Sequence, residues 1–406
     1  TVTFLNKLKM ISVADIMSGG NILMIYLDNA ATTLYKPQCV YDAVMHAMKN
    51  YGNSGRGYGE TSLEASRCIF ETRKCLTEFF GGDNVSGLIF TSNATEALNT
   101  VIHGLFNEGD TVITTNLEHN SVLRPLYYAG ERGVKADIVS CSGNGIVDAS
   151  GIEDMITKAT KAIICTHASN LTGNVVDIKK IGEIAKKHNL LFIVDASQTA
   201  GVLPINVRDM NIDILCFTGH KSLMGPQGTG GFYIRNGIDI RPLKSGGTGI
   251  KSFLRQQPEQ LPELLEAGTL NSHGIAGLLA AVNEINTVGI DKIYNKENRL
   301  MQIFYSGISR VKGVKVYGDF RQDKARCPIV SLNIGTADSS EISMLLEDEF
   351  GIVTRAGIHC APLMHEYFGT KTQGMVRFSF SYYNTEEEVT AAADAVKEIA
   401  KKVVDI

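Results

Sequence analysis

The sequence predicts an α/β protein, with a large domain built on a mostly parallel sheet and a smaller α/β domain after it. Three observations predict it. Between residues 60 and 235, short apolar runs alternate with segments of helical spacing. The strands of that stretch, such as "LLFIVDAS" and "ILCFTGHK", are apolar almost throughout, the pattern of a sheet covered by helices on both faces. Beyond residue 273 two long helical segments come first, and strands and helices then interleave again.

The elements follow in chain order. "SLEASRCIFETRKCLTEFFG" carries apolar residues at helical spacing and stops on glycine. "GLIFTS" is a short strand running into the helix "NATEALNTVIHGLF", with Asn93 or Thr95 as its capping residue. "DTVITT" and "KAIICTHAS" are strands, and "IKKIGEIAKKHN" is a helix. "LLFIVDAS", "ILCFTGHK" and "GGFYIR" complete the sheet. In the second domain, "HGIAGLLAAVNEINTVG" and "KIYNKENRLMQIFYSGISRV" read as long helices. "VKVYG", "CPIVSLNIG" and "MVRFSFSYYN" read as strands, interleaved with the helices "SSEISMLLEDEFG" and "TEEEVTAAADAVKEIAKKVV". The expected boundaries are residues 24–288 for the large domain and 289–406 for the small one. Residues 1–23 form an N-terminal extension to which no chemistry is assigned, because "MIYLDNAATT" opens the decisive segment.

Composition bounds the function. The 406 residues are 44% hydrophobic and 20% charged, ordinary values for a globular chain with room for two domains. A formal net charge of -4 gives no support to binding of nucleic acid or an anionic membrane. No apolar stretch reaches the roughly 20 residues needed to span a bilayer. The eight cysteines are scattered with no C-x-x-C pair, and Cys165 and Cys216 lie in apolar runs as small buried hydrophobes. With neither a disulfide framework nor metal-ligand spacing, no metal is expected, and a reducing, cytoplasmic setting is.

Four features fall at strand ends or helix starts, where open α/β sheets collect ligands. In "TSNATEALN" a strand enters a helix through small and hydroxyl residues, leaving free N–H groups at a positive dipole end. That is an anion site suited to phosphate, and equally a plain N-cap. In "FIVDASQTAG" Asp195 ends an apolar strand, where a carboxylate is costly unless paired. A structural salt bridge meets that need, and so does a protonated heterocyclic nitrogen. Gln198, three residues on, reaches the same region. In "LEHNSVL" His119 follows an apolar strand, where a lone histidine is as readily structural as catalytic. In "FTGHKSLMGPQGTGGFYI" Lys221 sits in a glycine-rich turn at the end of the strand after Asp195. Alone it is a solvated loop residue. Together, an anion cradle, a buried acid, a histidine and an amine describe pyridoxal 5'-phosphate bound as an imine. The acid keeps a proton on the ring nitrogen, and the lysine forms the Schiff base. Other glycine motifs fail on spacing: "GHKS" lacks the upstream glycine of a P-loop, and "GPQGTGG" does not open a helix.

The chain resembles the cysteine desulfurases, class V aminotransferases within the aspartate-aminotransferase-like fold type I. The resemblance runs from Tyr26 to about Val389. It is carried in order by "YLDNAATT", "TSNATEALN", "LEHNS", "HASNLTGNVVDI", "VDASQTAG", "FTGHKSLMGPQGTG", "EAGTLNSHGIAGL", "RAGIHCAPL" and "VRFSFSYYNTEEEV". It implies that Lys221 is the Schiff-base lysine and that His119 stacks on the pyridine ring and assists proton transfer. It places Asp195 on the ring nitrogen, Gln198 on the phenolic oxygen and Asn170 against the cofactor. Ala94, which offers only its backbone N–H, joins Thr95, Thr218 and His220 on the phosphate. Thr269 reaches the phosphate in the other subunit's site, hence a homodimer. Arg377 clamps the substrate carboxylate, with Arg355, Arg56 and Asn29 as further candidates for that pocket. Cys360 is the discriminating residue, since desulfuration needs a thiolate to attack the substrate sulfur. His359 beside it either favours the thiolate or simply packs. The implied reaction converts L-cysteine to L-alanine, leaves a persulfide on Cys360, and feeds iron–sulfur cluster or thiocofactor assembly through a sulfur-acceptor protein. The short segment between Cys360 and Arg377 resembles the short-loop group, which includes selenocysteine lyases. L-Selenocysteine is therefore an alternative substrate, and another class V aminotransferase-type reaction on an amino acid is a further alternative.

Overall fold

Chain order in the computed structural model, which describes residues 24–54 and 59–404, alternates strand and helix over the first two thirds. The N-terminal extension and Arg56 lie outside the described residues. Strand β1 (Ile25–Tyr26) is followed by helices α1 (Gln38–Asn50) and α2 (Glu60–Phe79). Then come β2 (Leu88–Thr91), α3 (Ala94–Leu105), β3 (Thr111–Thr115), α4 (Asn120–Gly130), β4 (Lys135–Val139) and the short α5 (Ala149–Glu153). β5 (Thr160–Thr166), α6 (Ile178–Lys187), β6 (Leu191–Asp195), β7 (Ile214–Thr218), β8 (Gly230–Ile234) and α7 (Ser272–Val288) complete this part.

Seven of these strands form one sheet in the order β2-β8-β7-β6-β5-β3-β4. All pairs are parallel except the two made by β8, which runs antiparallel to both β2 and β7. Alternate strand residues serve opposite faces, as a period of two requires. Ile163 and Cys165 pack into one apolar cluster with Phe192, Val194 and Phe217, while Ala162 and Ile164 join Ile193, Ile214 and Phe232 in the other. Cys165 and Cys216 are fully buried there. Burial on both faces is why these strands read as continuous apolar runs. Asn93, not Thr95, caps α3: its side chain accepts the Glu96 N–H.

The C-terminal part has α8 (Ile290–Ile308), β9 (Val314–Tyr317), β10 (Ile329–Ile334), α9 (Ser339–Phe350), β11 (Ile352–Val353), β12 (Arg355–Gly357), α10 (Pro362–Phe368), β13 (Met375–Ser379) and α11 (Glu386–Val404). β12-β13-β10-β9 form an antiparallel sheet over a separate apolar cluster around Phe304, Phe378 and Val396. One segment crosses over. β1 pairs with β11, and Leu27 is buried in the second cluster, so these residues pack with the C-terminal part rather than with the helices that follow them. A two-residue strand without alternation leaves no local signal for that pairing. No helix among the described residues is long and apolar enough to cross a membrane.

Candidate functional site

The strand ends that the sequence singled out share one edge of the large sheet. β3 leads to Glu118 and His119, β5 to Asn170, β6 ends on Asp195, β7 ends on Thr218 before His220 and Lys221, and β2 leads into α3. These elements form a pocket lined by Ala94, Thr95, His119, Asn170, Asp195, Gln198, Thr218, His220 and Lys221, with Asn93, Ser121, Thr166 and Ser197 between them. Two glycines shape the lysine loop. A Cβ on Gly219 would meet Thr229 Oγ1 at 2.1 Å. Gly201, at φ +95°, passes so close beneath the loop that a Cβ would stand 2.3 Å from the Ser222 carbonyl oxygen. From the other side Thr33 Oγ1 donates to the Lys221 carbonyl at 2.8 Å, and the Thr33 N–H donates to that of His220.

Burial pushes the Lys221 amine down to about 8; Asp195 opposes that shift while Arg377 and Arg355 reinforce it. Burial also takes His119 down to about 4, helped by Lys221, Arg355 and Arg377. The imidazole is therefore neutral. Its Nδ1 accepts the Ser121 N–H at 3.0 Å, so the ring proton sits on Nε2. Ser121 Oγ lies 2.8 Å from that Nδ1 and 2.7 Å from Thr95 Oγ1, tying the histidine to the start of α3. His220 is likewise taken down to about 4 by burial and by Lys221. Burial raises the Asp195 carboxyl, while Ser197 and Lys221 pull it back. Ser197 gives Asp195 Oδ1 both its N–H, at 2.9 Å, and its hydroxyl. Behind Asp195 stands Glu118, fully buried, whose carboxyl burial lifts to about 8.

The C-terminal part supplies the remaining groups. Arg355 and Arg377 are direct partners across β12 and β13. Arg377 is almost wholly buried; it donates through Nη2 to Asp28 Oδ1 and through Nη1 to the Asn170 carbonyl, both at 2.9 Å. Cys360 is half-buried on the loop after β12, and its carbonyl accepts the Asn120 N–H at 2.8 Å, one residue beyond His119. His359 is buried and held well below the ordinary imidazole range, by burial first and then by Arg377.

Five expected residues are not among those lining this pocket: Arg355, Arg377 and Cys360, just described, and Asn29 and Thr269. The Asn29 amide donates to Ser379, Asn384 and Tyr26, and the residue lines a small adjoining cavity with Gln198 and Glu297. Thr269 lines a separate cleft with Ser92, Glu96 and Lys244. Four others carry weight that the sequence reading passed over: Ser121, Ser197, Glu118 and Asp28. All four sit inside the quoted motifs "LEHNS", "VDASQTAG" and "YLDNAATT", and position within two residues of a singled-out residue was the available signal. Ser121 closes the first of these motifs.

The residues present fit pyridoxal phosphate. Thr218 Oγ1 and Asn170 Oδ1 are buried, belong to residues lining the pocket and have no hydrogen-bond partner among the described residues. The N–H groups of Ala94 and Thr95, in the first turn of α3, have no intrahelical acceptor and suit a phosphate. Asp195, costly as an isolated buried anion, gains the cationic partner it lacks from a protonated ring nitrogen. Among the described residues no cluster of metal-ligating side chains occurs.

Comparison with known proteins agrees with this geometry. Residues 25–391 match the family described as aminotransferase class-V. A "Probable cysteine desulfurase" of Methanothermobacter thermautotrophicus is 36% identical over 383 residues, covering 93% of this chain and 94% of that protein. One of Pyrococcus abyssi is 34% identical over 393 residues, covering 94% and 95%. Among solved structures, the apo form of a cysteine desulfurase from Thermococcus onnurineus NA1 superposes with a TM-score of 0.86 at 32% identity, covering 94% of this chain and 95% of that one. The cysteine desulfurase CsdA of Escherichia coli, in an S-sulfonic acid form, gives 0.82 at 25% identity over the same shares.

Proposed function

The chain belongs to the class-V aminotransferase family, in its cysteine desulfurase branch, and from that premise we propose that it converts L-cysteine to L-alanine, passing the sulfur to Cys360. One observation carries the reading. The loop bearing Cys360 is hydrogen-bonded to the residue after His119, beside a pocket holding a lysine whose amine is pushed down to about 8 and next to paired arginines.

Members of this family use pyridoxal phosphate, which when bound captures the substrate amine and makes its Cα proton acidic. Lys221, Asp195, His119, Gln198 and Asn170 would hold its ring, and Ala94, Thr95, Thr218 and His220 its phosphate. With its amine near 8, roughly a quarter of Lys221 is unprotonated at pH 7.5, against about one part in a thousand for an ordinary lysine. Its Nζ is the base that takes the Cα proton. Asp195 would hold a proton on the ring nitrogen, and His119 presents its Nε2–H. Arg377 and Arg355 bind the substrate carboxylate. The substrate's carbon–sulfur bond breaks as a sulfur–sulfur bond to Cys360 forms; cysteine plus the Cys360 thiol equals alanine plus the persulfide.

Thr269 lies in a cleft apart from the pocket, and the family resemblance, which has it serve the site of a second copy, makes a homodimer the proposed working unit. A sulfur-accepting protein is the expected partner. Residues 24–288 supply the cofactor pocket and residues 289–406 the nucleophile. All eight cysteines are free, in keeping with a reducing cytoplasm.

The test supplies L-cysteine and measures alanine, sulfide and mass added to Cys360. Equal alanine and transferred sulfur, with one sulfur atom on Cys360, supports desulfuration. Cys360→Ala is expected to lose it while still exchanging the Cα proton of L-alanine in deuterium oxide. Undiminished alanine formation by that variant would sink the persulfide reading. Selenium release retained by the variant would mark the thiol as needed for sulfur alone.

A further inference from the structure

The segment 170–174 is a strap across which the two parts of the chain are joined, residue by residue. The Asn170 carbonyl accepts from Arg377 Nη1 at 2.9 Å, that of Leu171 from Ser331 Oγ at 2.5 Å, and that of Thr172 from Arg326 Nη2 at 2.5 Å. The Gly173 carbonyl accepts the Cys327 N–H at 2.8 Å, and Asn174 Oδ1 accepts from Arg326 Nη1 at 2.7 Å and the Asp319 N–H at 2.9 Å. At its start one side chain reaches further. Asn170, 7% exposed and lining the cofactor pocket, donates Nδ2 to the His359 carbonyl at 2.7 Å.

His359 and Cys360 both adopt left-handed backbone, at φ +54° and +55°, which non-glycine residues hold only where surroundings enforce it. Four hydrogen bonds do so. Besides the Asn170 contact, the Ala361 N–H closes the turn on the Ile358 carbonyl at 3.0 Å, His359 Nε2 meets the Arg355 carbonyl at 3.0 Å, and the Cys360 carbonyl accepts the Asn120 N–H at 2.8 Å. Of the four, the Asn170 bond alone comes from a side chain in the pocket wall.

We propose that Asn170 is a positioning residue for Cys360: its Nδ2 pins the His359 carbonyl and thereby fixes the thiol, so one side chain sets both the pocket wall and the nucleophile. Without that donor the two left-handed residues relax and the thiol wanders, whether or not the cofactor is bound. The inference rests on the desulfurase reading for its catalytic meaning, but the loop restraint can be measured separately.

The experiment compares Asn170→Asp and Asn170→Ala with the unaltered full-length chain, both loaded with pyridoxal phosphate and stripped of it. Asp has the size of Asn but turns an oxygen toward the His359 carbonyl. Iodoacetamide labelling of Cys360 is followed by mass, together with hydrogen exchange of the Asn120 amide. Both variants are expected to label at least threefold faster and to exchange Asn120 faster, with or without cofactor. In the loaded enzyme, sulfur transfer falls at least tenfold relative to Cα-proton exchange on L-alanine. Ser331→Ala, which cuts the strap at Leu171 without touching His359, keeps the unaltered labelling rate. Unchanged labelling in both Asn170 variants overturns the proposal, as does equal acceleration in Ser331→Ala. Rapid exchange of the Asn120 amide in the unaltered loaded enzyme overturns it without any variant. Failure to form alanine in the unaltered enzyme would instead count against the desulfurase reading.

Discussion

Replacing Glu118 by glutamine isolates the cost of burying an acid behind Asp195. Glu118 Oε1 accepts from Thr115 Oγ1 at 2.7 Å and from the Thr166 N–H at 3.1 Å, while the buried Oε2 has no partner among the described residues. Burial lifts the carboxyl to about 8; the two donors oppose the shift and Asp195 adds to it. The folded-state value thus lies above the unfolded one, near 4.3. The folded chain keeps a proton that the unfolded chain releases. That contribution to stability is complete below about pH 4.3 and is lost as pH rises through 8. Integrated from about pH 5 to pH 7.5, the loss is about 3 kcal/mol. Glutamine keeps the Oε1 acceptor and cannot ionise, so its stability carries no such slope. Urea unfolding of both proteins at those two pH values, at one fixed protein concentration, is expected to show the unaltered chain losing about 3 kcal/mol more than Glu118→Gln. Parallel losses, within about 0.5 kcal/mol, would mean that Glu118 is ionised or wetted in the folded chain and that its burial does not control its charge.

Further outcomes follow from the same site. Reductive methylation of Lys221 in the cofactor-free chain is expected to reach half its limiting rate near pH 8, and a midpoint above 10 would contradict the desolvated amine. Gly201→Ala forces a Cβ against the Ser222 carbonyl at positive φ and is expected to destabilise by about 2–4 kcal/mol, read as a lowered thermal midpoint. Arg377→Lys cannot bond Asp28, the Asn170 carbonyl and a substrate carboxylate from one fork, so kcat/KM for cysteine is expected to drop about 30- to 1,000-fold. A change below threefold would remove Arg377 from the carboxylate site.

What the sequence made legible follows from how each feature is encoded. The central strands carry their burial in composition, so "LLFIVDAS" and "ILCFTGHK" were readable as β6 and β7. Strand direction is not encoded that way: β8 is as apolar as its neighbours yet runs opposite to β2 and β7. β4, mostly half-exposed at the sheet edge, lacks the apolar run that marks its neighbours and escaped notice. α4 carries Pro125 in its interior and was likewise overlooked. In the site, the residues found were those whose chemistry is unusual for their place, such as an acid ending an apolar strand. Ser121 was not visible because its two bonds, to Thr95 and His119, depend on side-chain geometry between α3 and α4. The bond from the Asn120 N–H to the Cys360 carbonyl joins two backbones 240 residues apart and has no side-chain signature at all.

His359 shows why that geometry matters to the chemistry. Its position beside Cys360 left two roles open, a cation that stabilises the thiolate or a packed ring. Burial and Arg377 hold it far below the ordinary range, so at neutral pH it carries no charge to lend. Its Nε2 instead meets the Arg355 carbonyl and braces the loop. The permanent positive charge in this region is that of Arg355 and Arg377, the groups that depress His119 and Lys221. Asp28 answers only part of that charge, through one of the nitrogens of Arg377. Under the proposed function, a substrate carboxylate held by these arginines would complete the balance and weaken the positive field felt by Lys221. The amine's affinity for a proton would then rise when it has one to take from Cα. Substrate binding and activation of the base would thereby be coupled through the same two arginines.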